Sequence, residues 1–249
     1  MLPFLLVSTR PEDVVADEEY ETMYRFSGLR PRDLHRIRLE QSEEASSELA
    51  SVDLAGYSGV MVGGSPFNTS MPQEEKTPTQ VRVELSLGKM LDRVMADRIP
   101  FLGACYGVGT LGIHQGGVVD DTYGEEVGAV EVAVTEEGAR DPLLADLPGS
   151  FHAYVGHKEA MRRLPPDAVL LASGQQCPIQ MFRVGTHAYA TQFHPELDET
   201  ALLSRIEAYK YHGYFLPEDA EAVKQRVKDG PAVEMPSRIL SAFVSTFAR

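Results

Sequence analysis

The segment Ile-Pro-Phe-Leu-Gly-Ala-Cys-Tyr-Gly, residues 99–107, decides how this chain folds. Its first part, Ile99–Ala104, is a short apolar run that predicts a buried strand, and a Gly-rich helix is predicted from about residue 106 to 115. The two are joined by Gly-x-Cys-x-Gly, the thiol version of the Gly-x-Ser-x-Gly nucleophile elbow. We therefore predict a sharp strand-to-helix turn with Cys105 at its tip.

The glycines on either side of Cys105 have a physical role in such a turn. The turn crowds the residues two places before and after the nucleophile, and Gly103 and Gly107 have no Cβ to clash. The sulfur of Cys105 would also lie at a helix N-terminus, where the dipole lowers the pKa of a thiol. The alternative is a buried structural cysteine, which is what we expect of Cys177, since it opens an apolar strand without flanking glycines.

A second group of reactive side chains follows another apolar strand, in the sequence ATQFHPE at residues 190–196. His194 and Glu196 are two residues apart and would project to the same side of an extended chain, stiffened by Pro195. A carboxylate beside an imidazole fixes its tautomer and stabilises the imidazolium. A His-x-Glu pair alone is more often a surface pair, but combined with the elbow it gives a candidate Cys-His-Glu triad.

Two loops could complete a site for acyl transfer. In VMVGGSP, residues 60–66, the Gly63-Gly64 turn could aim a backbone N–H at an oxyanion, beside the N–H of Tyr106; an ordinary tight turn is the alternative. In AYVGHKE, residues 153–159, the polar residues could form a substrate-recognition loop or a solvated turn.

The rest of the chain alternates between strand and helix patterns. Strands are predicted at residues 4–8, 34–39, 57–62, 127–134, 169–173, 179–184 and 188–193, and long helices at 12–26 and 79–97. This alternation predicts an α/β fold with a mostly parallel sheet and helices on both faces. Near the C-terminus, Ile239, Phe243 and Phe247 form an apolar helical stripe, which should pack on its own domain or on a second subunit.

Composition excludes several classes of protein. The 249 residues are 43% hydrophobic and include only two Cys, which argues against disorder and against a disulfide scaffold. The net charge of −14 makes nucleic acid and anionic membranes poor partners. The N-terminus lacks a basic stretch before its apolar run, so we expect a first strand rather than a signal peptide, and a cytoplasmic protein. No nucleotide-binding glycine motif or metal-ligand spacing is present, and we expect no cofactor and no metal.

The Gly-Gly turn at residue 63, the elbow at 103–107 and Gln-Phe-His-Pro-Glu at 192–196 occur in an order that resembles the class I (triad) glutamine amidotransferases. The run from His157 through Leu164-Pro165, Ala172-Ser173 and Cys177-Pro178 to Glu196 is most similar to the glutaminase domain of GMP synthase and its stand-alone relatives. The resemblance covers residues 1–200 and implies a flavodoxin-like fold. Residues 201–249 would form a C-terminal helical extension, packed on this domain or on a partner subunit.

The resemblance implies hydrolysis of the glutamine side-chain amide without a cofactor. Cys105 would attack the amide, His194 would transfer the proton and Glu196 would orient His194. A γ-glutamyl thioester would form, and water would release glutamate. Gly64 and Tyr106 would form the oxyanion hole.

Gly63, Gly109, His157 and Glu159 take the substrate-binding positions by the same resemblance, but two of these positions depart from the family pattern. The family commonly has Gln four residues after the nucleophile, where this chain has Gly109. The family loop usually has Ser-His-x-Asp, where this chain has Gly-His-Lys-Glu at residues 156–159. A γ-glutamyl peptide or amine therefore stays open as the substrate.

Two further expectations concern partners. A non-catalytic regulatory subunit on a retained fold is a third possibility, although an intact triad argues against it. The segment after residue 200 is too short for an ATP-binding synthetase half, so any ammonia acceptor would be a separate synthetase chain. A homodimer is also possible.

Overall fold

The computed structural model describes residues 1–249, which fold around one nine-stranded sheet and one two-stranded sheet. The strands are β1 (Phe4–Ser8), β2 (Leu34–Arg38), β3 (Gly59–Val62), β4 (Phe101–Ala104), β5 (Val118–Asp120), β6 (Glu125–Val134), β7 (Ser150–His157), β8 (Ala160–Arg163), β9 (Ala168–Gly174), β10 (Met181–Val184) and β11 (Ala188–Thr191). The helices are α1 (Asp13–Ser27), α2 (Glu43–Ser51), α3 (Pro78–Asp97), α4 (Tyr106–His114), α5 (Glu136–Ala139), α6 (Glu199–Ala208), α7 (Ala220–Lys228) and α8 (Ser237–Phe247).

The large sheet has a parallel half and an antiparallel half. Its order is β2-β1-β3-β4-β11-β10-β9-β6-β7. The five strands from β2 to β11 are mutually parallel, and each later neighbour pairs antiparallel. The α/β flavodoxin-like class is confirmed, and β2 lies at the edge. Strand β6 matches the strand predicted at residues 127–134, whereas β7, which pairs antiparallel with β6 at the other edge of the sheet, is not among the predicted strands.

Alternate residues of the parallel strands face two separate cores. On one face, Leu5 and Val60 pack with apolar residues of α2, α3 and α4. On the other face, Phe4 and Met61 pack with residues of α1 and α8. Because side chains alternate along a strand, one sheet buries apolar surface against helices on both sides.

The C-terminal stripe packs on this same chain. Ile239, Leu240 and Phe243 of α8 are fully buried, and the Phe243 ring lies 5.9 Å from that of Phe4. Helices α6 and α7 bury a third apolar cluster that includes Tyr154 of β7. A domain division at residue 200 stays a prediction, but the helices beyond it share cores with the sheet. No helix is long and apolar enough to cross a lipid bilayer.

Candidate active site

Three neighbouring parallel strands bring the predicted reactive segments to the same end of the sheet, at the carboxyl ends of these strands. Strand β3 leads into Gly63, β4 into Cys105, and β11 toward His194. The strands are in register, with Val62 opposite residue 103 and Thr191 opposite residue 104. Ligand sites of open α/β sheets form at the carboxyl ends of such strands.

Cys105 occupies the strained turn that the sequence predicts. Its φ of 51° and ψ of −92° make it one of two non-glycine residues with positive φ. A Cβ on Gly103 would lie 2.8 Å from the Cα of Gly107, so only glycine fits there. A Cβ on Gly107 would make only an ordinary contact of 3.6 Å, so the predicted crowding concerns Gly103. The N–H of Cys105 donates to the carbonyl of Thr191 at 2.7 Å, which ties the turn to β11.

His194 is buried beside Glu196 and lines one pocket together with Cys105. Nδ1 of His194 lies 2.7 Å from Oε1 of Glu196, which leaves Nε2 for the reacting groups. Burial opposes the imidazolium, but the negative charges of Glu196 and Cys105 outweigh it and raise the pKa of His194 to about 9. Burial would raise the pKa of Glu196, but His194 and Arg205 hold it well below its usual range. Such a pair can move a proton between a thiol and a substrate.

A buried network of ion pairs lies behind this pair, and no sequence pattern indicates it. Arg205 donates to Oε1 of Glu196 at 3.2 Å and lies 3.9 Å from Glu19. Nε of Arg10 lies 2.6 Å from the same Glu19 carboxylate. Arg10 follows the first strand and Arg205 is one residue among many on an amphipathic helix, so neither stands out in the sequence. Paired charges of this kind fix the orientation of Glu196.

The oxyanion-hole candidates differ in their hydrogen bonds. Tyr106 is the first residue of α4, so its N–H belongs to the first-turn donors that have no partner inside the helix. The N–H of Gly64 instead donates to Oε1 of Glu19 at 3.2 Å. A Cβ on Gly63 would overlap the Glu19 carboxylate at 2.3 Å, so this loop packs directly on Glu19. In this structure Gly64 is therefore not a free donor.

Glu159 and Gly109 are linked through Thr69. One oxygen of the Glu159 carboxylate accepts from the Thr69 N–H at 2.6 Å and from its hydroxyl at 2.7 Å, and the other accepts from the Ser70 N–H at 2.7 Å. A Cβ on Gly109 would lie 2.5 Å from the Thr69 hydroxyl oxygen. Thr69 thus occupies the space beside the position where the family has Gln, and Glu159 fixes it there.

His157 is buried and both of its ring nitrogens have partners. Nε2 lies 2.9 Å from the Glu125 carboxylate, and Nδ1 lies 3.0 Å from the carbonyl of Glu159. Potential metal-ligand atoms of Glu125, His157 and Cys177 lie within 4.8 Å of one another. Burial, with the nearby Glu125, raises the pKa of the Cys177 thiol to about 12, so Cys177 is a neutral buried side chain. His157 is the last residue of β7, so the segment 153–159 is mostly strand rather than the expected loop or turn. Because His157 also lines the pocket that Cys105 and Glu159 line, its role in substrate binding stays a prediction.

Two pockets meet at Cys105. One, of about 470 Å³, is lined by His194 and by apolar residues of the C-terminal region. The other, of about 360 Å³, is lined by Tyr106, Gly109 and Glu159. Three of the substrate-binding candidates, Gly109, His157 and Glu159, thus line the smaller pocket, whereas Gly63 lines neither pocket and His194 lines only the larger one.

Comparisons with known proteins identify the family of this chain. The family described as "Glutamine amidotransferase class-I" matches residues 28–222. The glutamine-hydrolyzing GMP synthase of Xylella fastidiosa is 29% identical over 158 residues, which are 61% of this chain and 28% of that protein. That of Salmonella typhimurium is 29% identical over 149 residues, or 57% and 26% of the two chains. The chain thus spans about a quarter of the length of these curated relatives.

Solved structures share the fold at low sequence identity. A glutamine amidotransferase from Thermotoga maritima has a TM-score of 0.75 and 20% identity, covering 99% of this chain and 98% of that one. One from Methylobacillus flagellatus has a TM-score of 0.67 and 14% identity, covering 100% and 96%. The family match spans most of the sheet and the whole Cys-His-Glu segment. This chain therefore belongs to the class I glutamine amidotransferase family.

Proposed function

We propose that this protein hydrolyses the side-chain amide of glutamine through a γ-glutamyl thioester on Cys105. The observation that carries the proposal is that Cys105, at the tip of a strained elbow, lines one pocket with a His194 that Glu196 orients. Membership of a family whose enzymes generally hydrolyse the glutamine amide supports the same reaction.

The reaction needs only groups that this chain supplies. The Cys105 thiolate adds to the amide carbon, and the His194 imidazolium gives its proton to the departing nitrogen. Ammonia leaves, and the γ-glutamyl group stays on sulfur as a thioester. Neutral His194 then takes a proton from water, which attacks the thioester and releases glutamate. Glu196 stabilises the imidazolium in both stages.

Backbone N–H groups would donate hydrogen bonds to the oxyanion of each tetrahedral intermediate. The backbone N–H of Tyr106 suits this role because Tyr106 is the first residue of α4, so this N–H has no partner inside the helix. Gly64 can join only if its N–H gives up the hydrogen bond to Glu19. We propose Tyr106 as the first donor and Gly64 as a second donor that becomes available when the loop shifts.

A separate ammonia-accepting synthetase partner is part of the proposal. Its support is the name of the curated relatives, glutamine-hydrolyzing GMP synthases, of which the matched region is about a quarter. A homodimer stays a prediction.

Intact-mass analysis with a diazoketone analogue of glutamine tests the proposal. We expect one covalent adduct on the wild-type protein, its loss in Cys105→Ala, and its retention in the matched control Cys177→Ala. Glu196→Gln should keep Cys105 reactive and lower kcat by on the order of 10²–10⁴-fold, because the orienting carboxylate contributes less than the nucleophile. No adduct under conditions that label other glutaminases would favour a non-catalytic subunit instead.

A further inference from the structure

Cys105 lines two pockets whose other lining residues differ. The larger pocket, about 470 Å³, includes His194 but not Tyr106. The smaller pocket, about 360 Å³, includes Tyr106 but not His194. Tyr214 lines both pockets, and Nζ of Lys158 lies 4.7 Å from the centre of the Tyr214 ring.

The positions of the general acid, His194, and of the oxyanion donor, Tyr106, determine how the substrate is oriented at Cys105. When Cys105 attacks an amide carbon, the general acid must reach the leaving nitrogen. His194 is that acid and lines only the larger pocket, so the leaving amine faces the larger pocket. The γ-glutamyl part then extends into the smaller one, beside Gly109 and Glu159.

The larger pocket is poorly matched to ammonia as the only leaving group. Nine of its fourteen lining residues are hydrophobic, among them Leu197, Leu202, Ile206 and Phe215. These side chains offer ammonia no hydrogen-bond partner, whereas they can bury an apolar substituent.

The charged residues of this pocket disfavour a cationic amine. Arg10 donates to Glu19 and to the Tyr209 hydroxyl, and Arg205 donates to Glu196. Both guanidiniums are thus committed to carboxylates inside the protein, and no carboxylate lines this pocket to pair with a second ammonium group on the substrate.

We propose that the larger pocket is a leaving-group subsite, and that the chain also hydrolyses γ-glutamyl amides whose amine carries an apolar group. This inference deepens the proposed function and rests on it. The Cys105 sulfur–carbon bond forms, the carbon–nitrogen bond breaks, and the nitrogen takes the proton of His194. The apolar amine leaves through the larger pocket, and water then hydrolyses the same γ-glutamyl thioester.

Two matched substrates test the proposal on the full chain. γ-Glutamyl benzylamide and γ-glutamyl methylamide are both secondary amides and differ only in the apolar group. We expect kcat/KM to be about tenfold or more higher for the benzylamide, because an apolar pocket discriminates by at least this factor between groups that differ by more than one methylene. γ-Glutamylphenylalanine, assayed beside them, should also exceed the methylamide if the natural source is a peptide; a preference for the benzylamide alone indicates a simple amine.

Variants locate the preference in the pocket. Phe215→Ala should reduce the benzyl-to-methyl ratio severalfold, while Tyr211→Ala, a mostly exposed neighbour that lines neither pocket, should leave the ratio unchanged. If the protein hydrolyses glutamine but its kcat/KM for the benzylamide is no higher than that for the methylamide, this inference is overturned and the glutaminase proposal still stands. Absence of any Cys105-dependent turnover or thioester with all four compounds would overturn both.

Discussion

At the position of Gly109, where the resemblance implies a substrate-binding Gln, the missing side chain leaves space for Thr69. We expect Gly109→Ala to raise KM for glutamine by about tenfold or more, because the added Cβ would lie 2.5 Å from the Thr69 hydroxyl and displace it from Glu159. Steady-state kinetics measure the effect. The change lies four residues from Cys105, so labelling by the diazoketone reports whether the elbow itself is intact.

The double variant Thr69→Ala/Gly109→Ala is the matched control for this clash. Removing the Thr69 hydroxyl and methyl leaves its Cβ 3.3 Å from the new methyl group, a contact that small shifts can relieve. KM should therefore return part of the way toward the wild-type value. Equal KM values in the single and double variants would show that Gly109 acts on the substrate by a route other than Thr69.

At the scale of elements, α8 is the helix whose role the sequence left most open. Phe243 is fully buried, with ring centres of Phe4 and Phe247 at 5.9 Å and 5.1 Å. Phe243→Ala should lower the free energy of unfolding by about 3–5 kcal/mol, as large-to-small changes in a packed core do. Chemical denaturation measures it, and Thr246→Ala, exposed on the same helix, serves as the control with an expected change within about 0.5 kcal/mol. A loss below about 1 kcal/mol for Phe243→Ala would mean that α8 is not part of the core.

Strands and helices could be predicted from the sequence where one physical signal dominated. The strand-to-helix turn at Cys105 was clear because a fully apolar strand meets a glycine-framed nucleophile. Strand β7 was missed because it mixes buried and exposed positions with polar residues such as Ser150 and His152. The ion-pair network behind Glu196 could not be predicted for another reason: Arg10 and Arg205 are distant in sequence, and they come together around Glu19 only in the folded chain. Pairing between distant charges leaves no periodic trace in a sequence.

At the scale of the whole molecule, the strong acidity is a property of the surface. Only five of the 37 acidic residues are buried: Glu19, Glu40, Glu125, Asp141 and Glu196. Two of these, Glu19 and Glu196, are balanced by the two buried guanidiniums behind the triad. These two pairs therefore contribute little net charge to the site, while the net charge of −14 disfavours polyanions as partners.

This buried charge cluster should also make global stability depend on pH. The folded-state pKa of His194, about 9, lies above the ordinary value of 6.5, so the folded chain binds a proton that the unfolded chain has lost between these pH values. The stabilisation is complete below about pH 6.5 and is lost as pH rises through about 9. A shift of this size corresponds to on the order of 3 kcal/mol.

Denaturation of wild type and His194→Asn at pH 6, 7.5 and 9.5 isolates this contribution, because the other titrating groups, including the buried His187, are common to both proteins. The wild-type free energy of unfolding should fall more steeply with pH, so the difference between the two proteins narrows from pH 6 to pH 9.5. Glu196→Gln should show an intermediate slope, since removing the carboxylate lowers the pKa of His194 without removing the imidazole. Parallel curves for all three proteins would mean that the pKa of His194 in the folded protein lies near its ordinary value.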